Sequence, residues 1–368
     1  MTKNLVLMFL FSLVISARCS DKKSTMRSYD ADHANIIYSG RIDASDAKKI
    51  RLSGSASYIT FRFKGSDCEM GLRDEYKYEG YNILTVIIDG QDAGRIKISK
   101  DCTYYPIARG LDEGEHTVMV SKATEAQNGH VEFIGLRCKK LLSPPRRPVR
   151  KIEFIGNSIT CGYGATSLEI PCGTGEWYAQ HDAYYAYGPM IARELNADWL
   201  LSSVSGIGMF RNWNTLGPAM PEVYQHIYMD TDSTSVWDFS DYVPDLVSIC
   251  LGTNDFSDGG EETPRASLDS TSFIRAYIDF VKLVRSNYPN AKICLLTSPL
   301  LSGEKAVRLE GYLKTVMEEL KNKANETNVY LFEFHDTYAH GCSGHPSKQE
   351  QALIASHLLP FFKQVMDW

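Results

Sequence analysis

The sequence predicts a two-domain protein in which a β-sandwich precedes a doubly wound α/β domain with a mostly parallel sheet. Between residues 36 and 136, short apolar segments alternate at period two and are separated by turn residues, with no helical stretch among them. After Lys151, strand patterns and helix patterns alternate along the chain, as they do in α/β folds. Three prolines in residues 141–150 separate the two patterns, because proline cannot donate to a strand ladder.

These patterns place the β-sandwich at residues 35–140, a linker at 141–150 and the α/β domain at 151–368. The strands predicted in the first domain include Tyr58–Phe63, Leu84–Ile88, Arg95–Ile98, His116–Val120 and His130–Leu136. The strands predicted in the second domain are Ile152–Ile155, Trp199–Val204, Asp245–Leu251, Lys292–Thr297 and Val329–Phe334. Its helices are predicted at Ala183–Leu195, Ser272–Ser286, Glu304–Lys323 and Ser347–Val365.

Residues 1–19 have the features of an export signal. Lys3 precedes an apolar run, Leu5–Ile15, which is too short for a comfortable membrane span, and small residues follow it. We therefore expect an exported protein, in which cysteines can form disulfide bonds.

Cys19, at the end of this segment, resembles a bacterial lipoprotein acylation site. Arg18 stands directly before it, where a small residue is usual, so cleavage after Ala17 is the alternative. Residues 20–34 are polar and without periodicity, and we interpret them as a tether. The expected locations are the periplasm, the cell surface through a lipidated Cys19, or the medium.

Charge and cysteine spacing exclude several classes of function. The net charge of −6 leaves no basic footprint for nucleic acid. No Cys-x-x-Cys or His-x-x-x-His spacing is present, so we do not expect a structural zinc. Cys161 and Cys172 flank a glycine-rich loop and could close it, although spacing does not determine pairing, whereas Cys250 and Cys294 are expected to be buried thiols.

Residues with a candidate catalytic role follow four of the five predicted strands of the α/β domain. Ser158 follows the first strand, Gly206 the second and Asn254 the third, while His345 comes after the last. In an open parallel sheet, ligands bind beyond the carboxyl ends of the strands. An ester hydrolase needs a nucleophile, a base and donors for the oxyanion, and these four residues would supply them.

Each of these residues also has an ordinary structural interpretation. Gly206 alone is more often a turn glycine, and the Asn254-Asp255 pair caps helices well. His345 precedes a helix whose start is marked by a capping box, so alone it could be a loop residue. The functional interpretation depends on their order and their common position at strand ends.

The four segments resemble the sequence blocks of the SGNH (GDSL-like) esterase and lipase superfamily. The first block is Gly156-Asn157-Ser158-Ile159-Thr160, with asparagine where aspartate is commoner, and the second is Ser205-Gly206. The third is Gly252-Thr253-Asn254-Asp255, and the last lies at His345-Pro346. The β-rich N-terminal domain, with Tyr38-Ser39-Gly40-Arg41-Ile42 at its start, is similar to carbohydrate esterase family 2.

The resemblance implies a flavodoxin-like three-layer domain, a jelly-roll N-terminal domain and the removal of acetyl groups from carbohydrates, typically plant polysaccharides. It implies Ser158 as nucleophile, His345 as general base and then acid, and the Ser158 amide, the Gly206 amide and the Asn254 side chain as oxyanion donors. It implies no metal or cofactor. The expected partner is an acetylated carbohydrate.

One position departs from the superfamily pattern, which usually has aspartate three residues before the histidine. Here that position is Cys342. A triad carboxylate orients the imidazole and stabilises the imidazolium. A backbone carbonyl could replace it in a Ser-His dyad, or Asp336 or Asp182 could reach the ring, or the protein could be a weakened enzyme that binds sugar.

Trp213, Tyr163 and Trp177 are candidates for stacking on a sugar ring, because they lie in loops near the predicted site. Packing of these loops against the sheet is the alternative for each of them. The runner-up function is an O-acetyl esterase on another glycan, such as peptidoglycan or sialoglycan. A lipase is disfavoured because the predicted site loops are polar.

Overall fold

The structure, a computed structural model, describes residues 26–77, 80–260 and 264–368. The predicted export signal, Cys19 and residues 20–25 of the predicted tether lie outside the described residues.

The first domain is an antiparallel β-sandwich-like sheet, which confirms the predicted class of this domain. Its ten strands within the described residues have the main order β3-β4-β10-β5-β9-β6-β7, while β1 pairs with β10, and β2 and β8 pair with β5. The strands are β1 (Arg27–Asp30), β2 (Ile37–Ser39), β3 (Ile42–Asp43), β4 (Ile50–Leu52), β5 (Tyr58–Tyr76), β6 (Ile83–Ile88), β7 (Gln91–Lys97), β8 (Tyr104–Ala108), β9 (Glu115–Lys122) and β10 (Gly129–Leu142).

The structure differs from the prediction at the end of the supposed tether. Residues 27–30 form β1 and pair antiparallel with β10, from Arg27 opposite Cys138 to Asp30 opposite Gly135. This strand was not predicted because it is short, polar and largely exposed, so it has no apolar alternation. Its stability comes from the hydrogen-bonding edge of a distant partner strand, which local sequence does not reveal.

The second domain contains a five-stranded parallel sheet of order β12-β11-β13-β14-β15, which confirms the flavodoxin-like prediction. The strands are β11 (Arg150–Gly156), β12 (Ala197–Ser203), β13 (Leu246–Cys250), β14 (Lys292–Leu296) and β15 (Val329–Phe332). The helices are α1 (Tyr187–Glu194), α2 (Met220–Val223), α3 (Ser270–Asn287), α4 (Gly303–Ala324) and α5 (Lys348–Met366).

Helices cover both faces of this sheet. The α3 and α4 helices pack together against one face, and α1 and α5 pack together against the other. The predicted capping box of α5 is present: the Ser347 hydroxyl accepts from the Glu350 amide, and the Glu350 carboxylate accepts from the Ser347 amide at 2.9 Å. The N-cap of α5, Ser347, therefore lies two residues beyond His345, and the helix begins at Lys348. Within the described residues, no helix is long and apolar enough to cross a membrane.

Arg41 of the first domain is wholly buried against the second domain. Its guanidinium donates to the Ser202 hydroxyl at 3.0 and 3.1 Å, and to the carbonyls of Tyr224 and His226 at 2.9 Å. The carboxylate of Glu153, on the central strand β11, lies 4.0 Å away and is equally buried. The two domains therefore share a charged contact that water does not reach.

We expect Arg41→Ala to reduce the free energy of unfolding by about 3–5 kcal/mol, because it leaves the Glu153 carboxylate buried and unpaired. Urea unfolding followed by fluorescence measures the loss. Arg62→Ala is a suitable control, since Arg62 pairs with Glu115 at the surface, where a pair contributes about 0–1 kcal/mol. A loss for Arg41→Ala no larger than that of the control would contradict the prediction.

Candidate active site

Ser158 lies directly beyond the carboxyl end of β11, the strand between β12 and β13. A Cβ atom at Gly156 would lie 2.0 Å from the Thr160 hydroxyl, so only glycine allows the chain to turn here. The Ser158 carbonyl accepts from the Tyr163 amide at 3.0 Å, which closes the turn. The tight turn presents the serine side chain at the edge of the sheet, as the sequence predicts.

His345 meets Ser158 across this edge. The Ser158 Oγ lies 2.7 Å from His345 Nε2. On its other side, His345 Nδ1 lies 3.1 Å from the carbonyl oxygen of Ser343. A carbonyl can only accept, so the proton resides on Nδ1 and Nε2 is free to accept from the serine hydroxyl.

The pKa of His345 is lowered, first by burial, and hydrogen bonds to the backbone at Ser343 and Cys342 oppose that shift. The imidazole is therefore neutral near pH 7, the form required of a base toward Ser158.

The carboxylates considered from the sequence do not contact the imidazole. Asp182 is buried, and its carboxylate accepts from the Thr85 hydroxyl at 2.9 Å and from the Tyr184 amide at 3.2 Å. Among the described residues, Asp336 included, no carboxylate oxygen lies within hydrogen-bond distance of His345. Of the alternatives left open by the sequence, this geometry corresponds to the dyad oriented by a backbone carbonyl.

A disulfide bond joins Cys172 to Cys342, with their Cα atoms 5.0 Å apart. The Cys161–Cys172 closure considered from the sequence is absent, because Cys161 is a buried free thiol. Cys342 occupies the position where the superfamily usually has aspartate, and it directly precedes Ser343, whose backbone is left-handed with φ of 53°. The disulfide thus ties the loop that carries the Ser343 carbonyl to the glycine-rich loop.

We expect Cys172→Ser to lower kcat on a small acetyl ester by about 10- to 100-fold, because a displacement of about 1 Å in the His345 loop is enough for a loss of that size. Steady-state kinetics with and without a reducing agent measure it. The reducing agent should lower kcat of the wild-type protein to that of Cys172→Ser and should leave kcat of the variant unchanged. Full kcat in Cys172→Ser would contradict the prediction.

The predicted oxyanion donors belong to residues at one edge of the sheet that share a cleft. The amides of Ser158 and Gly206 donate to no acceptor among the described residues. The Asn254 amide group donates one hydrogen to the Ile207 carbonyl at 2.7 Å. A side-chain amide carries two hydrogens, so the second remains for a ligand. Ser158, Gly206 and Asn254 all line one cleft.

Asp255 has a larger role in this site than the sequence indicated. Its fully buried carboxylate accepts from the amides of Met209, Phe210 and Arg211 at 2.7 to 2.9 Å. Burial raises its pKa, and these hydrogen bonds oppose that shift. Asp255 therefore fixes the loop after Gly206, and its position beside Asn254 was the signal available in the sequence.

The three aromatic candidates line the same cleft, whose volume is about 950 Å³. Tyr163 packs 4.5 Å from the His345 ring, and its hydroxyl lies 3.0 Å from that of Ser343. Trp213 is 58% exposed and Trp177 is 43% exposed, so both present ring surface to solvent. Tyr163 thus supports the histidine loop, while the tryptophans are the better candidates for binding.

Two residues of the first domain, Lys77 and Gln127, complete the wall of this cleft. The cleft is therefore formed by both domains. Among the residues that the structure describes, no group of three or more histidine, cysteine or acidic side chains is placed to hold a metal ion.

A parallel α/β sheet with a serine–histidine pair at its carboxyl edge is the arrangement that a serine acyl hydrolase requires. The chain belongs to the GDSL-like Lipase/Acylhydrolase family, whose sequence model matches residues 154–352. Residues 38–145 match a second model, described as Carbohydrate esterase 2 N-terminal.

Similar proteins and solved structures match almost the whole chain. Cellulase/esterase CelE of Acetivibrio thermocellus is 33% identical over 347 residues, which are 92% of this chain and 40% of that protein. This chain therefore spans less than half the length of that relative. An acetylxylan esterase / glucomannan deacetylase of Cellvibrio japonicus is 28% identical, with 99% of this chain and 98% of the relative covered.

A family two carbohydrate esterase from Clostridium thermocellum, solved in complex with cellohexaose, has the same fold. Its TM-score is 0.80 at 32% identity, and the match covers 90% of this chain and 99% of that chain. Both domains are thus found together in a known esterase structure.

Proposed function

We propose that this protein is a carbohydrate O-acetyl esterase that removes acetyl groups from plant-type polysaccharides or oligosaccharides such as xylan and glucomannan. The observation that carries the proposal is the 2.7 Å contact between Ser158 and His345 in the wall of an open cleft. The relatives named for acetylxylan and glucomannan support the substrate class.

In this proposal, His345 Nε2 accepts the Ser158 proton while Oγ attacks the acetyl carbonyl carbon. The carbonyl oxygen becomes an oxyanion that receives hydrogen bonds from the Ser158 and Gly206 amides and from Asn254. The imidazolium then gives its proton to the departing sugar oxygen, which leaves an acetyl-serine. Water, deprotonated by His345, attacks this ester, and the collapse of the second intermediate releases acetate and restores Ser158.

The backbone carbonyl of Ser343 takes the place of the usual carboxylate in this mechanism. It accepts from Nδ1–H, so it holds the ring orientation and stabilises the imidazolium through its dipole. A neutral carbonyl stabilises the imidazolium less than a carboxylate would, because it has no full charge. The Cys172–Cys342 disulfide supports its position.

A long carbohydrate fits the form of the cleft. The cleft is open at the surface, and Trp213 and Trp177 offer apolar ring faces to a sugar beside exposed polar groups such as Asn214. A lipase would need a broad apolar lining. The same features also suit an acetyl ester on peptidoglycan or sialoglycan, and loss of turnover would leave a carbohydrate-binding protein.

We also propose that the protein is exported and that Cys19 is acylated. The basic and apolar start of the sequence supports export, and a disulfide bond is typical of an oxidising compartment. Labelling of cells with a palmitate analogue tests acylation, and Cys19→Ser should lose the label. An unlabelled wild-type protein that is recovered from the medium would contradict anchoring but agree with export.

The deciding experiment is acetate release from acetylated xylan, acetylated glucomannan and defined monoacetyl sugars, with NMR of the products. Release should depend on Ser158. Acetylated peptidoglycan and sialoglycan belong in the same panel, and faster release from either would replace the proposed substrate. Turnover of 4-nitrophenyl acetate that survives in Ser158→Ala would overturn the assigned nucleophile.

A further inference from the structure

Glu125 of the first domain is buried at the domain interface. It lies between β9 and β10, and its side chain is fully shielded from solvent. An acidic side chain is almost never so buried unless it has partners. Its partners are largely residues of the second domain that adjoin the candidate active site.

Two groups of the second domain donate to one oxygen of Glu125. The Ser205 amide lies 2.6 Å from Oε2, and the Cys161 thiol lies 3.1 Å from the same atom. Ser205 directly precedes Gly206, and Cys161 follows Ser158 by three residues. One carboxylate oxygen thus joins the loop that carries the nucleophile to the loop that carries an oxyanion donor.

The other oxygen, Oε1, also has partners. Gln127 donates to it, and His181 Nε2 lies 3.6 Å away and 3.4 Å from the Ser205 hydroxyl. Burial lowers the pKa of His181 to about 4, so its ring is neutral at neutral pH. His181 is therefore not a cationic partner of Glu125 at neutral pH.

The first domain holds Glu125 in place through its backbone. The Glu125 carbonyl accepts from the Nζ of the buried Lys122 at 2.8 Å and from the Asn128 amide at 3.1 Å. The hydroxyl of Thr124, the residue before Glu125, donates to the side-chain oxygen of Asn82 at 2.6 Å. These hydrogen bonds hold the turn that carries Glu125 within the first domain, while its carboxylate contacts the second domain.

We propose that Glu125 is a positioning residue for the oxyanion site, so that the β-sandwich domain contributes to catalysis. This inference rests on the proposed function. The hydrogen bond from the Ser205 amide to Glu125 fixes the Val204–Ser205 peptide, and the Trp213 amide, which donates to the Gly206 carbonyl at 2.8 Å, fixes the peptide that follows Gly206. These two hydrogen bonds flank the Ser205–Gly206 peptide, whose Gly206 amide belongs to a residue that lines the cleft and donates to no acceptor among the described residues.

The test compares Glu125→Ala, Glu125→Gln and the wild type on 4-nitrophenyl acetate. Glu125→Ala should lower kcat by about 10- to 100-fold. This is no more than the loss expected on removal of one oxyanion donor, because the Gly206 amide is misplaced and not removed. KM should change by less than about twofold, since the ground-state ester makes little use of the donors. Glu125→Gln keeps an oxygen that can accept from the Ser205 amide, and it should recover most of the kcat.

A boronic acid separates positioning from a general structural role. Phenylboronic acid adds to a serine oxygen and forms a tetrahedral adduct that resembles the transition state. Its inhibition constant should rise in Glu125→Ala by about the same factor as kcat falls. An unchanged constant alongside a lower kcat, or a loss confined to KM, would overturn the proposal.

Glu69→Ala is the matched control, because Glu69 is also a buried glutamate of the first domain but pairs with Arg137 of that same domain. It should leave kcat unchanged. If Glu125→Ala does not fold, Glu125→Asp keeps the charge but withdraws the carboxylate from Ser205, and it should still lower kcat at least about fivefold. Full kcat in that variant would overturn the proposal.

This experiment is independent of the sugar. A failure to release acetate from any carbohydrate would refute the proposed substrate, while 4-nitrophenyl acetate and the boronic acid would still report on the oxyanion site. Conversely, normal kinetics of the Glu125 variants would refute the positioning role and leave the esterase assignment intact.

Discussion

Replacing Ser158 with alanine should lower kcat for acetyl ester hydrolysis by about 10⁴-fold or more, which is the scale for loss of a member of a serine-histidine unit. The reason is the 2.7 Å contact with His345 Nε2, since no acyl-enzyme can form without the serine oxygen. The fall should appear in kcat, with substrate affinity largely kept. Stopped-flow measurement of acetate release, with binding of an uncleaved oligosaccharide by calorimetry, checks both parts.

Two acidic residues supply the controls for this prediction. Asp182→Asn and Asp336→Ala should each keep kcat within about tenfold of the wild type, because neither carboxylate contacts His345 and the Ser343 carbonyl already accepts from Nδ1. A loss near 10⁴ in either variant would show that a carboxylate serves the histidine. Circular dichroism of Asp182→Asn is needed as well, since that side chain is buried.

The sequence was sufficient for the parts of the fold that depend on local pattern. Each of the five parallel strands was predicted as an apolar segment, because strands covered on both faces are apolar along their length. The positions of Ser158, Gly206, Asn254 and His345 followed from those strands. Parallel topology brings the carboxyl ends together, so four separate segments could be assigned to one site.

The contacts that the sequence did not predict join residues far apart in the chain. Cys172 and Cys342 are 170 residues apart, and Glu125 and Ser205 are 80 residues apart. Such pairs depend on the packing of loops and domains, for which local periodicity carries no information. The Ser343 carbonyl was not predictable for another reason: every residue has one, and only its direction makes it a partner of His345.

Cys342 stands where the superfamily pattern usually has an aspartate, three residues before His345. The sequence left three explanations of this departure open. In the structure, that cysteine is used in a disulfide that anchors the histidine loop, and the backbone beside it faces the imidazole. A covalent restraint and a carbonyl thus stand where a carboxylate would orient the ring.

Asn254→Ala is the second variant for which we expect a large effect, a loss of about 10²- to 10³-fold in kcat with little change in KM. One hydrogen of the Asn254 amide is engaged by the Ile207 carbonyl, which holds the side chain in one orientation. The other hydrogen would meet the oxygen of the acetyl group only when it carries negative charge. A donor that is already fixed needs no reorganisation during the reaction, which is why its loss should affect the rate and not the binding.

Asn254→Asp distinguishes donation from simple packing, because aspartate keeps the shape of asparagine but cannot donate when ionised. Its carboxylate would repel both the Ile207 carbonyl and the forming oxyanion, so kcat should fall at least as far as in Asn254→Ala. Steady-state kinetics on 4-nitrophenyl acetate measure kcat of both variants, and Ser158→Ala gives the rate that remains without the nucleophile. If Asn254→Asp were more active than Asn254→Ala, the side chain would serve packing, and the oxyanion would depend on the Ser158 and Gly206 amides alone.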